Sequence, residues 1–184
     1  MYKLVKYVGM GLLVFGLAAC DNSDSTAAGD AAQSSAASGQ PISLLDGKLS
    51  FSLPAGMSDM SDKLTNPSSN VRAYADNVKQ KAVIVIINDD DALALDKLAA
   101  DVEQKQRARD PQLQVIASKD IEIKGHTLRQ FDSVISENGK TTWSSILFTR
   151  IGDKQATLQI SLPADNQQQA QTEAQNIINT IVIQ

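Results

Sequence analysis

One cysteine, one histidine, one tryptophan and an aromatic content of 4% leave this 184-residue chain poor in the side chains that most often carry chemistry. A lone thiol has no intramolecular partner, so a disulfide framework is excluded. His126 has no second imidazole to share a metal, and as a general base it needs a carboxylate to orient it. The 17 Lys and Arg are outnumbered by 21 Asp and Glu, a formal charge of −4. That balance, with so few rings, argues against a nucleic-acid surface and against a basic patch held on anionic lipid. Long apolar runs are missing too. The run from Val8 to Ala19 is about a dozen residues, whereas a membrane-spanning helix needs roughly 20.

That short run has its own meaning. Lys3 and Lys6 precede it and the small pair Ala18 and Ala19 closes it, the charged head, apolar core and small-residue cleavage site of a signal peptide. Directly after it stands the one cysteine. Leu17-Ala18-Ala19-Cys20 resembles the lipobox of bacterial lipoproteins, in which a diacylglyceryl group is transferred to the cysteine sulfur and the leader is then removed. A thiolate is the soft nucleophile such a transfer requires. The resemblance implies diacylglyceryl on Cys20 Sγ and an N-acyl chain, such as palmitate, on the new amino terminus. One chain holds a protein at a bilayer marginally and two hold it stably, at about 0.8 kcal/mol per buried CH₂. Cys20 is expected to be an attachment point and not a catalyst. Asp21, followed by the polar Asn22, resembles the signal that keeps such lipoproteins in the inner membrane, so the expected location is its periplasmic face.

Residues 1–19 are thus expected to be a leader and 20–40 the lipidated cysteine with a polar tether. Removing the leader takes away Lys3 and Lys6 and moves the formal charge from −4 to −6. "DNSDSTAAGDAAQSSAASGQ" has no Leu, Ile, Val or aromatic residue and cannot offset the entropy cost of ordering. As a coil it reaches roughly 25 Å.

Residues 41–184 are long enough for one domain with a real core. "GKLSFSLP" alternates Leu49, Phe51 and Leu53 with serines, a half-buried strand after the turn pair Asp46-Gly47. "VRAYA" is a weaker strand, and "KAVIVIIN", apolar on both parities, is expected to be covered on both faces. Leu95, Leu98, Ala99 and Val102 have helical spacing, with "EQKQRARD" as a solvated continuation up to Asp110-Pro111. Four turn-bounded strands follow, "LQVIASKDIEIK", "HTLRQFDSVIS", "KTTWSSILFTRI" and "KQATLQISL", and Asn138-Gly139 is a hairpin signal that favours an antiparallel meander. A last helix opens near Pro163 and Asp165, where Asp165 with Gln168 matches a capping box. Its apolar stripe runs through Ala170, Ala174, Ile177, Ile178 and Ile181, and "IVIQ" is suited to a short closing strand. The expected class is α+β.

The leader "LVKYVGMGLLVFGLAAC" and the blocks "LLDGKLSFSLPAGM", "QKAVIVI", "RDPQLQV" and "AQNIINTIVIQ" together resemble the DcrB family of enterobacterial inner-membrane lipoproteins over nearly the whole chain. The resemblance implies a PsbP-like fold, a curved antiparallel sheet between helices in an α/β/α sandwich, shared with a Ran-binding nuclear import factor. It also implies a non-enzymatic binding or assembly role and an association with phage susceptibility.

The remaining candidates have plainer explanations. Asp89-Asp90-Asp91 has the oxygens a hard cation takes, but Ala94 stands where an EF-hand needs glycine, and helix capping is the simpler role. Trp143, Phe131, Phe148, Tyr74 and Phe51 suit a core better than a ligand pocket. Gly9, Gly11 and Gly16 lie in the leader with the wrong spacing for a phosphate loop. "DNQQQAQTEAQN" is the solvated face of the last helix. No catalytic residue and no metal ligand is expected. The sequence therefore suggests a lipid-anchored periplasmic accessory module that engages an envelope protein partner, no nucleic acid, and no cofactor beyond its acyl chains. The alternatives are a small-molecule or lipid binder with a pocket between sheet and helix, and a hydrolase built on Asp and Ser.

Overall fold

The computed structural model of the chain describes residues 39–184. Ten strands and two α-helices follow one another as β1 (Gln40–Leu44), β2 (Leu49–Leu53), β3 (Ser58–Asp59), β4 (Val71–Asp76), β5 (Lys81–Asp89), α1 (Leu95–Arg109), β6 (Gln114–Ile123), β7 (His126–Glu137), β8 (Lys140–Ile151), β9 (Lys154–Pro163), α2 (Gln167–Ile178) and β10 (Val182–Ile183), with a 3₁₀ turn at Ser61–Lys63. All pairings are antiparallel. The domain is α+β.

The meander read from the turn residues is present as β6-β7-β8-β9. Its tight hairpins are built on Lys124-Gly125 and Asn138-Gly139, all four residues with positive φ, the turn whose twist matches that of the flanking strands. Beyond β9 the sheet continues through β5, β4 and β3, seven strands in all. A bulge between Val115 and Ala117 bends the edge strand β6, as an unpaired extra residue must. A second sheet, β1-β2-β10, contains the expected strand at Leu49–Leu53 and the C-terminal closing strand. Strand β1 and the short β3 carry too few apolar residues to announce themselves.

The two helices cover opposite faces of the large sheet. Helix α1 packs Ala99 and Val102 on Phe131, Ile146 and Phe148. Helix α2 sets Ala170, Ala174, Ile177 and Ile178 into the main core, which holds Trp143, Leu147, Ile160 and Leu162 from the large sheet and Leu49, Phe51 and Leu53 from the small one. Lys81 Nζ reaches both carboxylate oxygens of Glu173, at 2.5 and 2.7 Å, and ties β5 to α2.

Three local expectations are corrected. Strand β5 buries Val83 and Val85 but leaves Ala82, Ile84 and Ile86 half-buried, because α1 lies over β7 and β8 and not over β5. Helix α2 is capped by Asn166, whose side chain accepts from the Gln169 amide, and not by Asp165. The "EQKQRARD" segment is not all solvated. Gln106 is fully buried, four residues beyond Val102 on the same stripe, where it faces the serines of β7 and β8.

Candidate functional site

Cys20, the lipobox residues Leu17, Ala18 and Ala19, the sorting pair Asp21 and Asn22, and Gly9, Gly11 and Gly16 lie outside the described residues. The other sequence candidates can be placed. His126 opens β7 after the Lys124-Gly125 turn and is half-buried. No group of three His, Cys, Asp or Glu side chains suited to a metal gathers among the described residues.

The Asp89-Asp90-Asp91 run does not cap α1. The cap position is Ala94, which makes no side-chain hydrogen bond. Asp89 instead pairs with Lys154 Nζ at 2.6 Å, and Asp90 takes Arg150 Nε at 2.8 and 2.9 Å. Asp90 and Asp91 also accept from the amides of Ala92 and Leu93, two residues on, so the run shapes the turn before the helix. Their cationic partners hold the Asp89 and Asp90 carboxyls below their ordinary values, and the same contact with Asp89 raises Lys154. Reading the charges as caps failed because the partners, Arg150 and Lys154, come from strands sixty residues away.

The five aromatic candidates are core. Phe51 and Tyr74 meet edge to face with centroids 6.3 Å apart. Phe131 and Phe148 lie beneath α1. Trp143 is 2% exposed and donates from Nε1 to Ser145 Oγ at 2.8 Å.

Two polar arrangements escaped the sequence reading. Under α1, Ser133 Oγ donates to Gln106 Oε1 at 2.8 Å. On the opposite face, Asp132 is buried beside Ser145, its register partner. Gln130 Nε2 donates to Asp132 Oδ2 at 2.7 Å, while Oδ1 receives no hydrogen bond of ordinary geometry. Burial is the largest influence on this carboxyl and pushes it above its ordinary value, against the pull of Ser145, Gln130 and Lys119. An Asp at an inward strand position is the signal that marks the second site in the sequence.

A cleft of about 470 Å³ opens where the β1–β2 turn meets the ends of β4 and β5 and the start of β9. Leu44, Leu45 and Ile87 form its apolar wall, and Arg72 and Lys154 bring cations to it. At its rim Asn70 Nδ2 donates to Asn88 Oδ1 at 2.7 Å. A second, flatter depression runs along the polar face of α2, lined by Gln168, Gln169, Thr172 and Glu173. The space between the large sheet and α2 is filled by side chains of the main core. Large apolar residues are exposed singly, at Val78, Leu93 and Ile116 on three different segments.

A family model described as DcrB matches residues 49–180. Over 186 aligned positions the chain is 56% identical to the inner membrane lipoprotein DcrB of Shigella flexneri, covering 100% of both chains. In structure it is similar to the cyanobacterial PsbP of Synechocystis sp. PCC 6803, with a TM-score of 0.59 at 17% identity over 85% of this chain and 98% of that one. The Ran-binding protein Mog1p of Saccharomyces cerevisiae is also similar, with a TM-score of 0.56 at 11% identity over 79% and 95% of the two chains. At such identities these two likenesses concern the fold alone.

Proposed function

The chain belongs to the DcrB family, and from that premise we propose that it is a lipid-anchored accessory module on the periplasmic face of the inner membrane, binding an envelope partner and catalysing no reaction. The observation that carries this reading is the full-length match to a relative named an inner membrane lipoprotein. It spans the leader and Cys20 as well as the domain. The anchor would be diacylglyceryl on Cys20 with an N-acyl chain, cut in after Leu17-Ala18-Ala19, and Asp21-Asn22 would hold the product in the inner membrane.

The geometry of the domain supports a binding role. The Asp89-Asp91 carboxylates are engaged by Arg150, Lys154 and backbone amides, which leaves them structural work in place of acid–base work. In this reading residues 20–40, which hold no Leu, Ile, Val or aromatic residue, would link the lipid to the domain. Any phage association would then run through a membrane partner.

The test is fractionation with mass analysis. Cys20→Ser should leave an unprocessed precursor or a soluble product, and Asp21→Ser should move the protein toward the outer membrane. A mature native protein with a free thiol at Cys20 overturns the anchor, and an unmoved Asp21→Ser variant overturns the sorting signal.

A further inference from the structure

We infer that the cleft between the β1–β2 turn and the ends of β4 and β5 binds a small monoanion, a carboxylate carried on a short apolar stem. The inference deepens the reading of the domain as a binding module and rests on it.

Charge is the first support. Arg72, Ile87, Asp89 and Lys154 project from the same face of the large sheet, as their register with Val85, Ala156 and each other requires. The cleft lining holds two cations, Arg72 and Lys154, and one carboxylate, Asp89, with the Asp153 carboxylate a further 3.7 Å from Lys154 Nζ, in a chain whose formal charge is −4. Asp89 is matched to Lys154 at 2.6 Å. Arg72 makes no ion pair with a carboxylate within 4.0 Å among the described residues, and its contacts are from Nη1 to the Ser69 and Val71 carbonyls, at 3.4 and 3.1 Å. Its Nε and Nη2 make no hydrogen bond within the described residues. A guanidinium with donors to spare suits the fork of a carboxylate. Lys154 is already met by two carboxylates, so Arg72 is the one cation of the cleft without an ion pair among the described residues, and one available cation suits a monoanion better than a phosphate dianion.

The wall is the second support. A volume of about 470 Å³ lies in the range of small-ligand sites, which combine an apolar lining with a few placed polar groups. Leu44, Leu45 and Ile87 supply that lining. Leu45 sits at φ 54°, in the left-handed region that a bulky side chain enters only at a cost. Asp46 and Gly47 share positive φ with it, as the β1–β2 turn requires. The turn sets Leu45 at once against the main core and on the cleft wall.

An apolar carboxylate has two sources, the C-terminus of a polypeptide and a free fatty acid.

The test titrates the full lipidated chain in phosphatidylcholine nanodiscs, by saturation-transfer NMR against empty discs, with N-acetyl-Ala-Ala-Leu and its C-terminal amide, and with octanoate and octanamide. An acid should bind about tenfold or more tighter than its matched amide, the discrimination a charge-assisted hydrogen bond provides. Arg72→Gln should abolish that preference, Arg72→Lys should retain part of it, and added salt should weaken it in the native protein. Binding of the peptide acid alone identifies a chain end, binding of octanoate alone a fatty acid, and binding of both the shared chemistry. No binding by either acid, equal binding of acid and amide, or a preference that Arg72→Gln leaves intact overturns the inference. If Arg72→Gln unfolds, by the fluorescence of Trp143, the salt dependence and Arg72→Lys decide. None of these outcomes touches the anchored-module reading, which fails only by the fractionation above.

Discussion

Replacing Asp132 by asparagine should make the domain more stable at neutral pH, the reverse of what most buried polar substitutions do. The carboxyl is 4% exposed. Oδ2 has one donor, Gln130 Nε2 at 2.7 Å, and Oδ1 has none of ordinary geometry. A buried acceptor left without its hydrogen bond costs about 1–3 kcal/mol, and more when charged. Asparagine keeps the shape, can accept from Gln130 through its carbonyl, and offers an N–H to Ser145 Oγ. A gain of about 1–2 kcal/mol follows, or roughly 3–6 °C in Tm for a domain of this size.

The pH dependence provides the sharper check. Burial raises the Asp132 carboxyl in the folded state above its ordinary value of 3.8. Between the unfolded and folded pKa the native protein binds more protons than the unfolded one, so stability falls as pH rises through that window and levels off above it. The lowered carboxyls of Asp59, Asp89 and Asp90 act the other way. Their contribution is complete above 3.8 and is lost only as pH falls through their folded values, so it does not mask the Asp132 slope at higher pH. The assay is urea unfolding of the domain, residues 39–184, between pH 4.5 and 8, followed by Trp143, the one tryptophan and a buried one. The parent should lose stability with rising pH and the variant should lose less. An asparagine variant less stable than the parent at pH 8, or a slope unchanged by the substitution, refutes the reasoning.

Gln106→Ala should cost about 2 kcal/mol, because it removes the acceptor of the fully buried Ser133 hydroxyl; the midpoint of urea unfolding measures it. Asp110→Ala should cost about 2–3 kcal/mol by the same measurement, since this 5%-exposed carboxylate accepts from the amides of Gln112 and Ser136, at 2.8 and 2.7 Å, and ties the end of α1 to β7. Amide exchange in the last turn of α1 should speed up with it.

Much of the fold could be read from local pattern. The Asn138-Gly139 turn, the alternation through Ala156, Leu158, Ile160 and Leu162, and the stripe from Ala170 to Ile178 each depend on near neighbours, and each is found where the pattern put it. The candidate sites could be read far less well. Asp90 looks like a helix cap until Arg150 arrives from β8, and Gln106 looks solvated until Ser133 comes to lie beneath it.

The sequence by itself determined the meander from β6 to β9, the two helices and the closing strand, because those follow from period and turn residues within a few positions of one another. Only the tertiary structure decided what the charges do. Arg72, Asp89 and Lys154 are brought to one cleft by pairings across β4, β5 and β9, and Asp132 is desolvated by packing between layers. Electrostatic environment is set by neighbours in space, and in this fold those neighbours are up to 92 residues apart along the chain, as Lys81 and Glu173 are.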